Sequence, residues 1–513
     1  MSSDAASPGP IAPRTILAPG PVVSRADWPA EQEPRALHVI RIGGAGMSAV
    51  ARLALEAGLA VSGSDSQDGQ FIGPLREAGA TIGIGFDAAQ LPADCDLVVV
   101  STAVRADNPE LLAARERGIP VIHRAAALAG LLGERPLIAV AGTHGKTSTT
   151  GMAVTALRGA GTDPAWALGA AVPDLGRNAG FGAASAPGTR LPADADRQPA
   201  VVEADESDGS FLAFAPRALV VTNLEADHLD FHGDEATLIA GFDALADRVV
   251  PGGTLVVCAD DPGARALGER ARARGIAVQE YGTAADADWE LRAEDAAAGG
   301  TVAELRTPSG PLTLRLAVAG HHNVLNALGA LAACAAALPA ADPALLAAGM
   351  ASFTGASRRF DVAGTVGGVT VVDDYAHHPR EVAATLEAAR GIVAQQPGPG
   401  RVLAVFQPHL YSRTRAFGAE FAAALAAADL AWVMPVYGAR EDPDPSVDAR
   451  TITAHQPTLT PLDEAGAVIP SVRAAARPGD LLLMLGAGDV VETTPQLLAT
   501  LDAPVTDAGE PEA

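Results

Sequence analysis

Lysine is nearly missing from this chain: among 513 residues there is one, Lys146, and every other cationic side chain is arginine or histidine. Positive charge is scarce in general, and the formal net charge of -25 repels phosphate backbones and anionic lipid surfaces, so nucleic acid and membranes are excluded as expected partners. Cysteine is scarce too. Cys95, Cys258 and Cys334 are odd in number and lie scattered in apolar surroundings, which excludes a disulfide framework and a zinc site and reads as reduced thiols in the cytoplasm. No apolar stretch reaches the ~20 residues that cross a bilayer. Residues 1–34 lack the charged-then-apolar layout of a secretion signal and are expected to form a disordered extension; residues 504–513 are a short tail. The length fits about three domains.

What the chain does have is concentrated around its one lysine. Ile138 to Ala141 is an apolar strand run, Gly142-Thr143-His144-Gly145 a glycine turn, and Lys146-Thr147-Ser148 opens a helix. Turn glycines let backbone N–H groups close on phosphate oxygens, the helix start adds its positive end, and the Thr147 hydroxyl is placed to ligate Mg²⁺. The spacing is two residues shorter than the usual phosphate loop, since Val140 stands where its first glycine would be. A coding bias that removed lysine everywhere else kept it where a compact ammonium meets β- and γ-phosphates. ATP or GTP is the expected ligand.

Residues 35–134 alternate short apolar strands with helical stretches. Leu37 to Ile42 runs into Gly43-Gly44-Ala45-Gly46-Met47-Ser48-Ala49, and a second strand ends in Ser64-Asp65. This is a βαβ unit whose glycine turn admits a diphosphate; NAD and UDP satisfy it equally. The strand 96–102 ends in Ser101-Thr102, and 119–124 ends in His123-Arg124, so these polar ends are expected to line the same crevice.

Residues 135–352 continue with two apolar strands ending in acids, 200–208 with Glu203 and 218–228 with His228. In a parallel sheet both ends face the ligand crevice, so Glu203 and His228 are candidate metal ligands. Gly180 to Pro199 reads as a mobile insertion. Asn323 and Asn326 lie i, i+3 at the start of an Ala-Leu helix, where they serve as caps or read a base edge. Residues 353–503 form another βαβ series, whose four strands end in clusters containing Asp373 to Pro379, Gln407 to Arg415, Pro435 to Glu441 and Gly486 to Asp489. The fold class is therefore α/β, with Rossmann-like first and third domains around a central phosphate-loop domain.

Nine stretches in order resemble the Mur ligase family: Gly-Gly-Ala-Gly-Met-Ser (43–48), Ser-Gly-Ser-Asp (62–65), Gly-Thr-His-Gly-Lys-Thr (142–147), Glu-Ala-Asp-Glu-Ser-Asp (203–208), Asn-Leu-Glu-Ala-Asp-His (223–228), His-Asn-Val-Leu-Asn (322–326), Arg-Arg-Phe (358–360), Asp-Asp-Tyr-Ala-His-His-Pro (373–379) and Leu-Gly-Ala-Gly-Asp (485–489). The resemblance implies ATP-dependent ligation of L-alanine to the lactyl carboxylate of UDP-N-acetylmuramate, through an acyl phosphate and a tetrahedral intermediate. It implies that Lys146 holds the β- and γ-phosphates, that Thr147 and Glu203 hold one Mg²⁺ and His228 a second, and that Asn323 and Asn326 contact adenine. By the same resemblance Gly142, Thr143, His144, Gly145 and Ser148 complete the ATP loop, with Arg358 or Arg359 and Asp374 expected to bracket the nucleotide. The sugar nucleotide is expected on Gly44, Ala45, Gly46, Met47, Ser48, Ser64, Asp65, Ser101, Thr102, His123, Arg124 and Tyr375. His377, His409 and Arg413 are candidates for steering the amino acid and stabilising the oxyanion.

Two departures from the family pattern stand out: Leu410 where arginine is frequent, and Ala376 where glycine is frequent. Later-acting relatives use a carbamoylated lysine, and this chain has no second lysine to modify. The competing readings are a ligase that recycles a murein tripeptide onto the same sugar nucleotide, and a silent sensor that binds UDP-sugar and ATP without turnover. The expected assembly state is a monomer or weak homodimer.

Overall fold

The computed structural model describes residues 28–29, 34–182, 198–227, 229–297, 300–396, 398–439 and 441–501. The chain divides into two compact units, the first ending at Thr354 and the second beginning at Gly355.

The first unit holds two sheets. One has five parallel strands, β1 (Ala36–Ile40), β2 (Ala60–Asp65), β3 (Thr81–Ile84), β4 (Leu97–Val100) and β5 (Val121–His123), in the order β3-β2-β1-β4-β5. β4 is an unbroken apolar run, and β1 is apolar apart from His38, because helices cover both faces of the sheet. The strand order reverses between β1 and β4, which opens a crevice at their carboxyl ends. The helix Ala45–Glu56 starts at that crevice from Gly44, with no side chain capping its first N–H groups.

The second sheet has ten strands: β6 (Leu137–Ala141), β7 (Ala165–Val172), β8 (Arg177–Gly180), β9 (Ala200–Glu203), β10 (Ala218–Val221), β11 (Thr254–Cys258), β12 (Ala277–Gly282), β13 (Trp289–Ala297), β14 (Gly300–Thr307) and β15 (Gly310–Leu316). Their order is β15-β14-β13-β12-β11-β10-β6-β9-β7-β8. β6, at the centre of the parallel part, is flanked by β9 and β10, so the two acid-ended strands deliver their ends on either side of the glycine loop. Both strands stop sooner than their sequence runs imply, at Glu203 and Val221, because the chain beyond them turns to contact the loop. The β7–β8 hairpin and the antiparallel β13–β15 extension are additions to the expected parallel strands.

Trp28 lies against Gly130 of the helix Arg124–Leu132; a Cβ at Gly130 would meet the indole at 2.3 Å. Within the expected disordered extension Trp28 is thus packed against a helix, while residues 1–27 and 30–33 lie outside the described residues. Gly180 belongs to β8 rather than to the expected insertion, of which 183–197 lie outside the described residues, as does the tail 502–513.

The second unit contains one six-stranded sheet: β16 (Asp361–Val366), β17 (Val369–Asp374), β18 (Val402–Phe406), β19 (Leu430–Val433), β20 (Leu459–Pro461) and β21 (Leu481–Leu485), ordered β16-β17-β21-β18-β19-β20 and parallel except for β16. Its two faces are separate apolar cores, one built on Phe406, Phe421 and Leu483, the other on Trp432, Met484 and Leu482. No described helix is long and apolar enough to cross a membrane.

The helix Lys146–Gly159, which carries the lysine, crosses the helix Pro343–Met350 at paired glycines. A Cβ on Gly349 would sit 2.5 Å from the Thr155 carbonyl oxygen and 2.8 Å from the Gly159 Cα, both backbone atoms. Gly349→Ala is expected to force the helices apart and cost roughly 1–3 kcal/mol, read as a lower thermal midpoint. An unchanged midpoint would show that the crossing is loose.

Candidate functional site

β6 delivers the chain into a loop that only glycine can make. Gly142 and Gly145 have φ of 126° and 82°; a Cβ on the first would lie 2.2 Å from Thr222 Oγ1, and on the second 2.5 Å from Asn326 Oδ1. The loop is tied to the end of β10. Asn223 accepts from His144 N through Oδ1 (2.7 Å) and donates to the His144 carbonyl through Nδ2 (3.1 Å), and Thr222 Oγ1 donates to the same carbonyl at 2.6 Å. Gly145 then starts the helix Lys146–Gly159, leaving the first-turn N–H groups of Lys146, Thr147 and Ser148 without intrahelical acceptors.

Lys146 is folded back under this loop. Its ammonium donates to the carbonyls of Gly142 (2.7 Å) and Thr143 (3.2 Å) and to Glu206 Oε1 (2.9 Å). Burial works against its charge, but Glu206 and Asp205 more than restore it and hold its pKa above the usual lysine value. Burial pushes Glu206 up to about 7 although Lys146 pulls it down. Beside the lysine, the Thr147 hydroxyl donates to Glu203 Oε2 at 3.0 Å, and Gly169 N on β7 donates to the same oxygen at 2.8 Å. A hydroxyl and a carboxylate are hard oxygen donors of the kind Mg²⁺ takes. His228 lies outside the described residues. Among the described residues no cluster of three or more His, Cys, Asp or Glu could hold a metal by itself.

The two asparagines separate. Asn326, buried on the helix His321–Ala337, lies over Gly145, whereas Asn323 Nδ2 bonds back to the Ala319 carbonyl at 2.8 Å, the local bond of a helix start.

The crevice between β1 and β4 is a cavity of about 310 Å³ lined by Arg41, Gly43, Gly44, Met47, Asp65, Ser66, Gln67, Gly69, Ser101 and Ala103. Of the expected sugar-nucleotide residues, Gly44, Met47, Asp65 and Ser101 line it. Asp65 Oδ2 accepts from Gly43 N at 2.8 Å and shapes the turn. Ser64 is fully buried and donates to Glu110, which also meets His38 at 3.1 Å. Ser48 Oγ, bonded to the Ala45 carbonyl, receives Asn178 Nδ2 from β8 at 3.0 Å. Thr102, His123 and Arg124 converge instead on Asp208, at 3.4, 3.4 and 3.3 Å, and Arg124 also pairs with Asp205 at 2.9 Å and lies against Gly46. Burial raises the Asp208 pKa, but Arg124 and His123 outweigh it and hold the carboxyl well below the usual range.

In the second unit the strand ends gather aromatic and cationic groups. The Tyr375 ring lies under the guanidiniums of Arg358 (4.9 Å) and Arg359 (5.1 Å) and meets His377 at 5.1 Å; His377 meets His409 at 5.7 Å, and His409 stacks on Tyr437 at 5.9 Å. Burial pushes His377 down to about 3, so its ring is neutral at ordinary pH. Its Nδ1 faces the Tyr375 carbonyl at 2.9 Å, an acceptor only, which puts the proton on Nδ1 and leaves the Nε2 lone pair available. Arg358 donates to the carbonyls of Gly486 and Gly488, and Asp374, pushed up to about 6 by burial, accepts from Phe360 N and Ala376 N at 2.7 Å each. Arg413 is buried in the short helix Tyr411–Ala416, and Leu410, with φ of 69°, is its N-cap residue.

Four groups escaped the sequence reading: Glu206 under Lys146, Asn178 against Ser48, Glu110 under Ser64, and Glu381, which accepts from His377 N at 3.0 Å and pairs with Arg359 at 3.4 Å. The acid-rich stretch 203–208 signalled the first, but only burial shows which carboxylate faces the lysine.

Three family models match the chain: the Mur ligase family catalytic domain over residues 36–135, the Mur ligase middle domain over 140–334, and the Mur ligase glutamate ligase domain over 358–488. A UDP-N-acetylmuramate–L-alanine ligase of Kineococcus radiotolerans is 49% identical over 475 residues, 91% of this chain and 96% of that protein. The protein of the same name from Mycobacterium tuberculosis is 45% identical over 484 residues, 91% of this chain and 95% of its own. Among solved structures, the UDP-N-acetylmuramate-alanine ligase of Thermotoga maritima superposes with a TM-score of 0.73 at 27% identity, covering 91% of this chain and 98% of that one. A murein peptide ligase of Psychrobacter arcticus superposes with a TM-score of 0.69 at 25% identity, over 92% and 100%.

Glu206 carries a pH signature. An exposed glutamate loses its proton near 4.5, whereas buried Glu206 keeps its proton to about 7, so the folded state binds more protons than the unfolded one between these values. Its contribution to stability is fully present below pH 4.5 and is lost as pH rises through 7. Relative to Glu206→Gln, the wild-type protein should therefore lose stability from about pH 4.5 to 7 and level off above. A pH-independent difference in denaturation midpoints would refute the assignment.

Proposed function

We infer the activity from the premise that this chain belongs to the Mur ligase family, whose three domain models together match residues between 36 and 488. It is an ATP-dependent, amide-bond-forming ligase that joins L-alanine to the lactyl carboxylate of UDP-N-acetylmuramate, the first stem-peptide step of peptidoglycan synthesis. The observation that carries this reading is the identity of 45–49% to ligases of that name across more than nine-tenths of the chain. The glycine loop with Lys146 beneath it supports the use of ATP.

The reaction begins with two anions, the γ-phosphate and the carboxylate that must attack it. Lys146 turns from its loop carbonyls to the β- and γ-phosphates, and the first-turn N–H groups receive the remaining oxygens. Thr147 and Glu203 would hold Mg²⁺, which supplies charge compensation between the reacting anions. Asn326 is assigned a contact to the nucleotide, a reading supported by its position over Gly145. The acyl phosphate formed on the substrate is then attacked by the amine of L-alanine, and phosphate leaves the tetrahedral intermediate. We assign His377 a neutral, accepting role toward that amine, through Nε2, and Arg413 and His409 roles in orienting the amino acid and the developing oxyanion. Tyr375, whose ring both Arg358 and Arg359 approach, is read as keeping this cluster in place. Such an enzyme works in the cytoplasm, where ATP and the sugar nucleotide are made.

Phosphate release from ATP with Mg²⁺ and UDP-N-acetylmuramate is expected with L-alanine and not with the stem tripeptide; release with tripeptide alone would make the protein a recycling ligase, and release with neither a sensor. Lys146→Ala is expected to lower kcat roughly 100-fold or more while leaving UDP binding intact. Retained turnover would overturn the role of the loop.

A further inference from the structure

Arg41 ends β1 and opens the turn to Gly44 with a left-handed backbone, φ 62°, a conformation that side chains other than glycine seldom adopt. The chain is pinned on both sides of it: Ile42 N donates to the Ser64 carbonyl at 3.0 Å, and Gly44 N to the carbonyl of Arg41 itself at 3.2 Å. Strain of this kind persists where the position of a side chain is useful. Arg41 lines the 310 Å³ crevice and is its one cationic lining residue among those described.

The charges around the glycine turn are unevenly committed. Arg124, the other cation beside it, is held by Asp205 and Asp208. Asp65, the one acid lining the cavity, spends Oδ2 on Gly43 N. Arg41 has neither a carboxylate nor a carbonyl partner among the described residues; its guanidinium lies 5.9 Å from the Phe86 ring. A guanidinium with no carboxylate or carbonyl partner among the described residues, on a residue that lines the cavity three positions before an uncapped helix start in a chain of net charge -25, is suited to an anion brought by the ligand.

We propose that Arg41 is a further binding residue of the sugar-nucleotide site, holding the diphosphate through its planar fork of N–H donors while the turn N–H groups hold the opposite oxygens. The proposal rests on the reading of this crevice as the UDP-sugar site. It gives Arg41 a role that glycine, the residue best suited to that backbone, could not perform.

The test uses the full chain and UDP as the probe, with calorimetric Kd values for UDP and ATP and the thermal midpoint of the unliganded protein, for wild type, Arg41→Gly and Arg41→Gln. Both variants are expected to raise the UDP Kd roughly tenfold or more, the loss of one charge-assisted contact, with the ATP Kd unchanged. Arg41→Gly should also melt no lower than wild type, since glycine relieves the left-handed backbone. UDP affinity within twofold of wild type in both variants would overturn the proposal while leaving the crevice assignment standing. So would parallel loss of UDP affinity, ATP affinity and thermal midpoint, which is the mark of a structural residue. If wild-type protein does not bind UDP at all, the crevice reading and the proposal fall together.

Discussion

A buried ammonium must find an acceptor for each of its hydrogens, and the first unit is arranged around meeting that demand for Lys146. Its three N–H donors go to two loop carbonyls and to Glu206, which brings β6, the glycine loop and the segment after β9 to one point. That convergence explains the glycines at 142 and 145, since Thr222 and Asn326 occupy the space any side chain there would need. It also explains why β9 and β10 end early: their continuations must bend inward, one to supply Glu206, the other to supply Asn223. The cost of burying charge is thus met by the same geometry that shapes the loop proposed to hold phosphate.

The parallel skeleton was legible in the sequence because strands such as β4 and β6 are uninterrupted apolar runs ending in glycine, acid or hydroxyl, the signature of strands covered on both faces. The β7–β8 hairpin was not, because alanine and glycine fill both faces of those strands and erase the alternation that marks a half-buried strand. The β13–β15 extension does carry that alternation, as in Leu312-Thr313-Leu314-Arg315-Leu316, and it was overlooked between the more conspicuous acid-ended strands and the Ala-Leu helix. The site shows the same division. The glycine loop, Glu203 and the aromatic strand ends of the second unit could be placed from spacing alone. Ser64 and His123 looked like crevice residues because they end strands, yet their side chains turn away to Glu110 and Asp208. Strand-end position fixes where a residue is; which way it faces depends on buried partners far away in sequence. Glu206 and Glu381 were hidden for that reason.

β8 links the two halves of the first unit in a way that spacing could not reveal. Asn178 reaches Ser48 and the Ala45 carbonyl at the start of the helix Ala45–Glu56, and Arg177 and Phe181 N grip Glu56 at its end. On the neighbouring strand, Gly169 N holds Glu203. One hairpin therefore touches both the turn proposed for the diphosphate and the carboxylate proposed for the metal.

The survival of a single lysine follows from the same geometry. Arginine replaces lysine freely on a surface, where only charge and hydration matter. Under the glycine loop it would bring a planar fork with five donors to a cradle that offers three oxygens, in a space bounded by backbone. A guanidinium there would leave donors unsatisfied or push the loop open, and either change would spoil the fit to a phosphate. Elsewhere in the chain the reverse holds: at Arg124, between two carboxylates, and at Arg358, between two carbonyls, the fork is what the site requires. The coding bias could remove every lysine whose place an arginine could take, and position 146 is the one where the shape of the charge, rather than its presence, decides.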